Sequence, residues 1–427
     1  MRLESLEQLG WRFGLETIQA LLAELGNPQT SLQVVHVAGS NGKGSTCAFM
    51  ASFLKHSGYK TGLYTSPHLC DIRERFRING TWISAVDFNR HCRRVLEACR
   101  KVQRKMGHLP THFEALTAIA FCWFKEQKVD WVVLEVGLGG RLDATNVVVQ
   151  PAVSLIAPVG LEHQNILGKT ISKITREKAG ILKEGCLAAA VQPHPEAARV
   201  INEVAREKGS LLWLAGRDFW FKKTRGGFDW EGPGLSGEFK LPGFPDYQIS
   251  NAALALAGIQ LLKDWGVKGD KRLIRRSFSN MRWPGRVEAI SRKPSILLDG
   301  AHNPEAAKAL CGSLKACYPK TRWIVLNGFL EDKDHTEVIR LLKPLALYSI
   351  VAEPDSDRKK DGKKVFEAWE REGVPSLLIK NGQKALEMAL AKLRRCPPET
   401  GLLITGSFYL VGACRKQLAG LKGLDRI

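Results

Sequence analysis

Residues 39–46 read Gly-Ser-Asn-Gly-Lys-Gly-Ser-Thr, directly after the apolar run VVHVA (34–38) and before a segment, 45–57, whose apolar positions recur every three to four residues. A strand, a glycine loop and a helix in that order form a phosphate cradle. Gly39, Gly42 and Gly44 let successive backbone N–H groups, Asn41 among them, turn toward an anion, and the helix start adds its unpaired donors. Lys43 supplies a mobile positive charge for β- and γ-phosphates, and the Ser45 hydroxyl, followed by Thr46, suits the Mg²⁺ that travels with them. The loop is shorter than GxxxxGK[ST]: only two residues separate Gly39 from Gly42-Lys43, and Gly44 intervenes before Ser45. A glycine-rich turn that merely caps a helix is the alternative, and it leaves a lysine between two glycines without a purpose.

Further groups with chemical potential lie at similar positions. Glu135 ends the buried-looking run WVVLE, where an ionised carboxylate is costly unless it meets a cation, either a metal or a salt-bridge partner. His163, in VGLEHQNILG, is a metal ligand or a polar loop residue, and Lys178, in TREKAGI, reads as a surface lysine. Thr111-His112-Phe113-Glu114 has the capping-box arrangement, which accounts for Glu114 structurally; Phe113 lines a pocket or packs in a helical core. DGAHNP (299–304) follows another apolar run. Asp299 can accept from a ribose or an arginine and His302 can donate to a phosphate, unless the segment is simply an Asx-type turn.

Those residues need a frame. VVHVA (34–38), KTGLYTSPHL (60–69), VDWVVLEVG (129–137) and AVSLIAPV (152–159) read as short buried strands, with helices at 84–105 and 111–127 between them, the pattern of a mainly parallel sheet covered on both faces. Residues 209–246 carry aromatic and aliphatic residues between Gly and Asp turns and read as short antiparallel strands. Helical patterning resumes at 249–264 and 271–278. From 295 the alternation restarts, with strands SILLD, RWIVLNG, LYSIVAE, SLLIK and GLLITG, after a polar linker EAISRKP (288–294). The expected fold class is α/β: an N-terminal P-loop-type, mainly parallel sheet with a β-rich elaboration (1–290) and a smaller Rossmann-like α/β domain (291–427). The motifs at 39–45, 65–68, 135–143, 160–163 and 299–303 each fall after a strand, so ligands are expected in a cleft beyond the strands' carboxyl ends.

Composition narrows the functional classes. The 427 residues suit two or three domains, and a formal charge of +20 favours anionic partners. No nucleic-acid-reading module appears. The ten cysteines contain no CxxC pair and several sit in apolar runs, so they read as reduced core thiols in an intracellular protein. MRLESLEQLGWRFG is too acidic for a signal or transit sequence, and no 18-residue apolar stretch follows, so a cytoplasmic protein without a membrane partner is expected.

Taken together, the chain resembles the Mur ligase superfamily, and within it the folylpolyglutamate synthase/dihydrofolate synthase family. GSNGKGS, TSPHL, THFEALTAIA, EVGLGGRLDATN, GLEHQNILGKT, EKAGI, NAALALA, WPGRVE, DGAHNP and GSFYLVG occur in the family's order over almost the whole length. The resemblance implies ATP-dependent addition of L-glutamate to a folate or dihydropteroate carboxylate through an acyl phosphate, by a monomer. It implies ATP contacts from the 39–46 loop, Asn251, Arg286, Asp299 and His302, with Lys43, His163, Lys178 and Arg286 acting in catalysis. It further implies one Mg²⁺ held by Ser45, Ser66 and Glu135, and a second supported by Glu135, His163 and a carbamylated Lys178. Phe113 and Arg141 are the implied folate contacts. Two departures stand out: Glu162 where the family usually has Asp before the histidine, and Tyr247-Gln248 where it often has His-Gln. A Mur-like ligase with a non-folate acceptor, and a non-catalytic ATP-binding regulator, are the competing readings.

Overall fold

The computed structural model describes residues 3–420 apart from 11 and 13; Met1, Arg2, Trp11 and Phe13 of the N-terminal stretch lie outside the described residues. The described residues contain seventeen strands: β1 Val34–Ala38, β2 Thr61–Tyr64, β3 Phe76–Ile78, β4 Thr81–Trp82, β5 Trp131–Glu135, β6 Val153–Ile156, β7 Leu187–Ala190, β8 Leu211–Leu214, β9 Trp220–Thr224, β10 Gly227–Gly232, β11 Leu235–Lys240, β12 Glu288–Arg292, β13 Ser295–Leu298, β14 Arg322–Asn327, β15 Ala346–Val351, β16 Ser376–Leu378 and β17 Thr400–Thr405. The chain divides into two compact units, one of residues 1–67, 73–243 and 248–282, the other of 68–72, 244–247 and 283–427.

The first unit is built on an eight-stranded sheet ordered β4-β3-β2-β5-β1-β6-β7-β8, parallel from β2 through β8. Its central strands are apolar throughout because both faces are covered. On one face lie the helices Lys43–His56 and Gln248–Leu261; Gly258 permits close approach, since a Cβ there would stand 3.0 Å from Leu155 and 3.3 Å from Met50. On the other, Ile156, Ala188 and Ala190 pack with Ile174, Val200 and Val204 of the helices Ile171–Ala179 and Pro195–Glu207. Strands β9 to β11 form a separate antiparallel meander. The expectation of antiparallel strands from 209 onward is therefore corrected at its first member: β8 joins the main sheet in parallel, because the helix Pro195–Glu207 carries the chain back to the same end before β8 starts.

The second unit has six strands ordered β12-β13-β17-β14-β15-β16, parallel except for β12. Alternate residues feed two cores: Leu297, Val325 and Leu403 on one face, Ile296, Leu326 and Ile404 on the other. The polar linker expected at 288–294 is instead largely β12, an antiparallel edge strand on β13, and the second unit takes the chain from Trp283 rather than from 291. An edge strand needs only one buried face, so its sequence lacks the apolar run that marks its neighbours.

Candidate active site

In the first unit the sheet order places β2, β5, β1 and β6 side by side and parallel, so the loops leaving their carboxyl ends are neighbours. These are the loops carrying Ser66, Glu135, the 39–46 segment and His163. Gly39, at φ +146°, lies against β6's exit: a Cβ there would stand 2.7 Å from Ala157 Cβ and 2.8 Å from its carbonyl oxygen. The N–H groups of Ser40 and Asn41 donate to Pro158 O at 2.9 and 3.2 Å, and Ser40 Oγ exchanges hydrogen bonds with Gly160. Gly42, at φ +90°, opens the helix Lys43–His56, where a Cβ would stand 2.0 Å from Asn251 Oδ1. Only glycine meets both demands. Lys43 folds over the loop, donating from Nζ to Gly39 O at 2.9 Å and Ser40 O at 3.3 Å.

Glu135, 4% exposed, accepts the Ser66 N–H at 3.0 Å. Burial first, and then the Glu135 carboxylate, hold the Cys47 thiol well above its usual range, which places that carboxylate within electrostatic reach of the helix's first turns. Ser45 Oγ accepts from Gln248 Nε2 at 3.1 Å, and Asn251 Nδ2 donates to Gln248 Oε1 at 2.9 Å. No three His, Cys, Asp or Glu side chains converge on a metal position among the described residues. The donors on offer beside a bound phosphate are hard oxygens, a carboxylate and serine hydroxyls, which fit Mg²⁺ or Mn²⁺ rather than a softer ion.

Lys178 corrects its reading as a surface lysine: it is 1% exposed, and Nζ donates to Gly39 O at 2.9 Å and to Glu162 Oε1 at 2.6 Å. Burial pushes its ammonium down in pKa, with Glu162 opposing. Burial pushes Glu162 up, but Lys178 and Lys43 outweigh it and hold the carboxyl well below its usual range. His163 adopts φ +46° and starts the short helix Gln164–Leu167. Asp143 is buried behind this group, accepting from Leu138 N at 2.8 Å, Thr145 N at 3.0 Å and Thr145 Oγ1 at 2.5 Å; Thr145 Oγ1 also meets His36 Nε2 at 2.9 Å. Arg141 points its half-exposed guanidinium at Glu177 Oε1, with Nε at 3.0 Å and Nη2 at 2.9 Å. Phe113 is part-exposed over Gly137, where a Cβ would stand 2.4 Å from the ring, and near Tyr64. The capping box is present: Glu114 N donates to Thr111 Oγ1 at 3.3 Å, while Glu114 Oε2 accepts from Thr111 N at 2.7 Å.

The second unit carries its own cluster. Asp299, buried, accepts from Val287 N at 2.8 Å, Tyr247 Oη at 3.1 Å and Ala301 N at 2.8 Å, the last being the Asx-type turn. Burial raises its pKa while the Arg286 charge lowers it. His302 Nδ1 lies 2.8 Å from Gly300 O; a carbonyl only accepts, so Nδ1 carries a proton and Nε2 donates only in the imidazolium. Phe408 is the platform: Arg286 lies 4.4 Å over its ring, His302 meets its edge at 5.7 Å, and a Cβ on Gly300 would stand 2.2 Å from it. Sequence reasoning assigned no role to Phe408 or to Gln248. Gln248 had a signal, an amide three residues before Asn251 on the same face of a mostly apolar helix.

Known proteins resemble this chain along almost its whole length. Residues 285–408 match the model of the Mur ligase, glutamate ligase domain. The dihydrofolate synthase/folylpolyglutamate synthase of Bacillus subtilis is 33% identical over 434 residues, covering 96% of each chain, and the Escherichia coli protein of the same name is 36% identical over 342 residues, covering 80% of this chain and 78% of its own. Among solved structures, Mycobacterium tuberculosis folylpolyglutamate synthase complexed with ADP and AMPPCP superposes with a TM-score of 0.89 at 30% identity, covering 98% of both chains. E. coli FolC in complex with DHPP and ADP gives 0.87 at 32%, covering 98% of this chain and 96% of that one. A glycine cradle with its lysine, a strand-end carboxylate beside it and this likeness along the full length lead to one conclusion: the chain belongs to the folylpolyglutamate synthase/dihydrofolate synthase family of Mur ligases and is an ATP-dependent glutamate ligase.

Proposed function

We propose that this ligase adds L-glutamate both to dihydropteroate and to reduced folates, acting as a cytoplasmic monomer. The observation that carries the reading is the meeting of the 39–46 cradle, Ser66, Glu135 and His163 on the adjoining exits of four parallel strands. The acceptor carboxylate attacks the γ-phosphorus of ATP, the bond to the β-phosphate oxygen breaks, and an acyl phosphate and ADP result. The glutamate amine then attacks the acyl carbon, loses its proton and expels phosphate. In this scheme Lys43 exchanges its carbonyl partners for the β- and γ-phosphates, the loop N–H groups hold the anion, and Arg286 offsets charge developing in phosphoryl transfer. Asn251 receives the adenine, Asp299 and His302 are assigned to the nucleotide by the family resemblance, and Phe113 and Arg141 to the folate.

Ser45, Ser66 and Glu135 hold the Mg²⁺ that accompanies ATP, which supplies charge neutralisation at the phosphates. A related bifunctional synthase has been solved with Mn, AMPPNP and L-glutamate bound. The second ion is assigned to Glu135, His163 and Lys178 as its carbamate. Burial favours the neutral amine of Lys178, the form that takes up CO₂. The carbamate also places a second anion beside Glu162, a pair that calls for a cation.

Purified protein incubated with Mg·ATP and glutamate, and separately with dihydropteroate or tetrahydrofolate, tests the proposal by product mass and ADP release. Glutamylated product from both acceptors is expected; product from one alone limits the activity to that step, and none from either removes the folate assignment. Equilibration of the same protein with ¹³C-bicarbonate is expected to give a carbamate carbon resonance that Lys178→Arg lacks. Full activity without that resonance ends the carbamate assignment.

A further inference from the structure

Gln248 occupies the first turn of the helix Gln248–Leu261 and is fully buried, with Asn251 4% and Ser45 1% exposed beside it. Both halves of its amide are engaged, Oε1 accepting from Asn251 at 2.9 Å and Nε2 donating to Ser45 Oγ at 3.1 Å. A serine hydroxyl is otherwise a free rotor. With one lone pair committed to Gln248, its remaining lone pair and its proton point away from that amide. Asn251 is pinned in turn, because Gly42 leaves just enough room for its Oδ1. The chain Gly42, Asn251, Gln248, Ser45 thus closes on itself within the loop-and-helix pair that holds the phosphate cradle.

We infer that Gln248 is a positioning residue: held on one side by Asn251, it orients the Ser45 hydroxyl for the divalent ion. This rests on the proposed assignment of Ser45 to the cation. The amide oxygen and nitrogen of Gln248 are each engaged within the protein, and its contribution is the fixed geometry of Ser45.

The test is the affinity of the full-length protein for AMPPCP by calorimetry, with and without Mg²⁺, together with thermal midpoints. Gln248→Leu is expected to reduce the Mg²⁺-dependent gain in affinity about tenfold, the effect of losing one orienting hydrogen bond, while Mg²⁺-free affinity stays within about twofold. Gln248→Met, unbranched and of similar length, serves if the leucine variant does not fold. Ser45→Ala is expected to lose the same gain, and adding Gln248→Leu to it to change nothing further, because the two act as one unit. Equal losses with and without Mg²⁺, or additive losses in the double variant, overturn the inference and leave Gln248 a packing residue. If wild-type protein binds AMPPCP with no Mg²⁺-dependent gain, the cation assignment itself has failed and takes the inference with it.

Discussion

At the scale of single residues, the buried ion pair of Lys178 and Glu162 separates this site from an ordinary nucleotide loop. The Glu162 carboxylate stands 2.6 Å from the Lys178 ammonium. Removing one member of a buried pair strands the other in a poor solvent, so with Lys178 unmodified, in buffer free of bicarbonate, Glu162→Ala is expected to destabilise the protein by about 3–5 kcal/mol, measured by urea unfolding. Glu162→Asp, which keeps the charge on a shorter stem, should lose less. Equal stability of wild type and Glu162→Ala would mean that Lys178 does not bear its charge in the resting protein.

Elements decide where those residues stand. The helix His112–Glu126 puts Phe113 over Gly137, and its start is set by Thr111 and Glu114. Thr111→Ala removes the cap acceptor, at a cost of about 1 kcal/mol, and withdraws one donor from the buried Glu114 carboxylate, which adds about 1 kcal/mol. A lower urea midpoint at unchanged slope is expected. A midpoint within error of wild type would show that the helix start is held by packing alone. β8 and β12 illustrate how elements escape a linear reading. Leu-Leu-Trp-Leu is apolar in either orientation, and pairing direction depends on the preceding crossover, while β12 is an edge strand with only Ser291 fully buried.

Across the whole molecule, acid stability reflects His36, a histidine inside the apolar β1. Burial pushes its pKa down to about 3, with Lys183 adding to the effect. Between that value and the ordinary one near 6.5 the unfolded chain binds the proton and the folded chain does not, so stability rises with pH across this window and falls on acidification. At pH 5 the loss from this group is about 2 kcal/mol relative to neutral pH. Asp143, Asp299 and Glu114 have carboxyl groups raised by burial, so the folded state holds their protons longer and their contribution has the opposite sign at lower pH. The difference between wild type and His36→Gln isolates the histidine. Urea unfolding from pH 7 to pH 5 is expected to show a steeper loss for wild type, and parallel profiles would rule His36 out as the acid-sensitive group.

What the sequence by itself determined is the local chemistry: the cradle at 39–46, the strand-end position of Glu135, the capping box at Thr111 and the apolar strands of both units. Each rests on neighbours a few residues apart, where periodicity and turn chemistry are strong. Tertiary structure alone decided that Lys178 is buried against Glu162, that Asp299 also turns an oxygen onto Val287 and Tyr247, and that Gln248 reaches Ser45 from more than two hundred positions away. Polar residues carry no mark of burial until a partner arrives. Partners so far apart in the chain are brought together only by the strand order of the sheet and the helices packed on it.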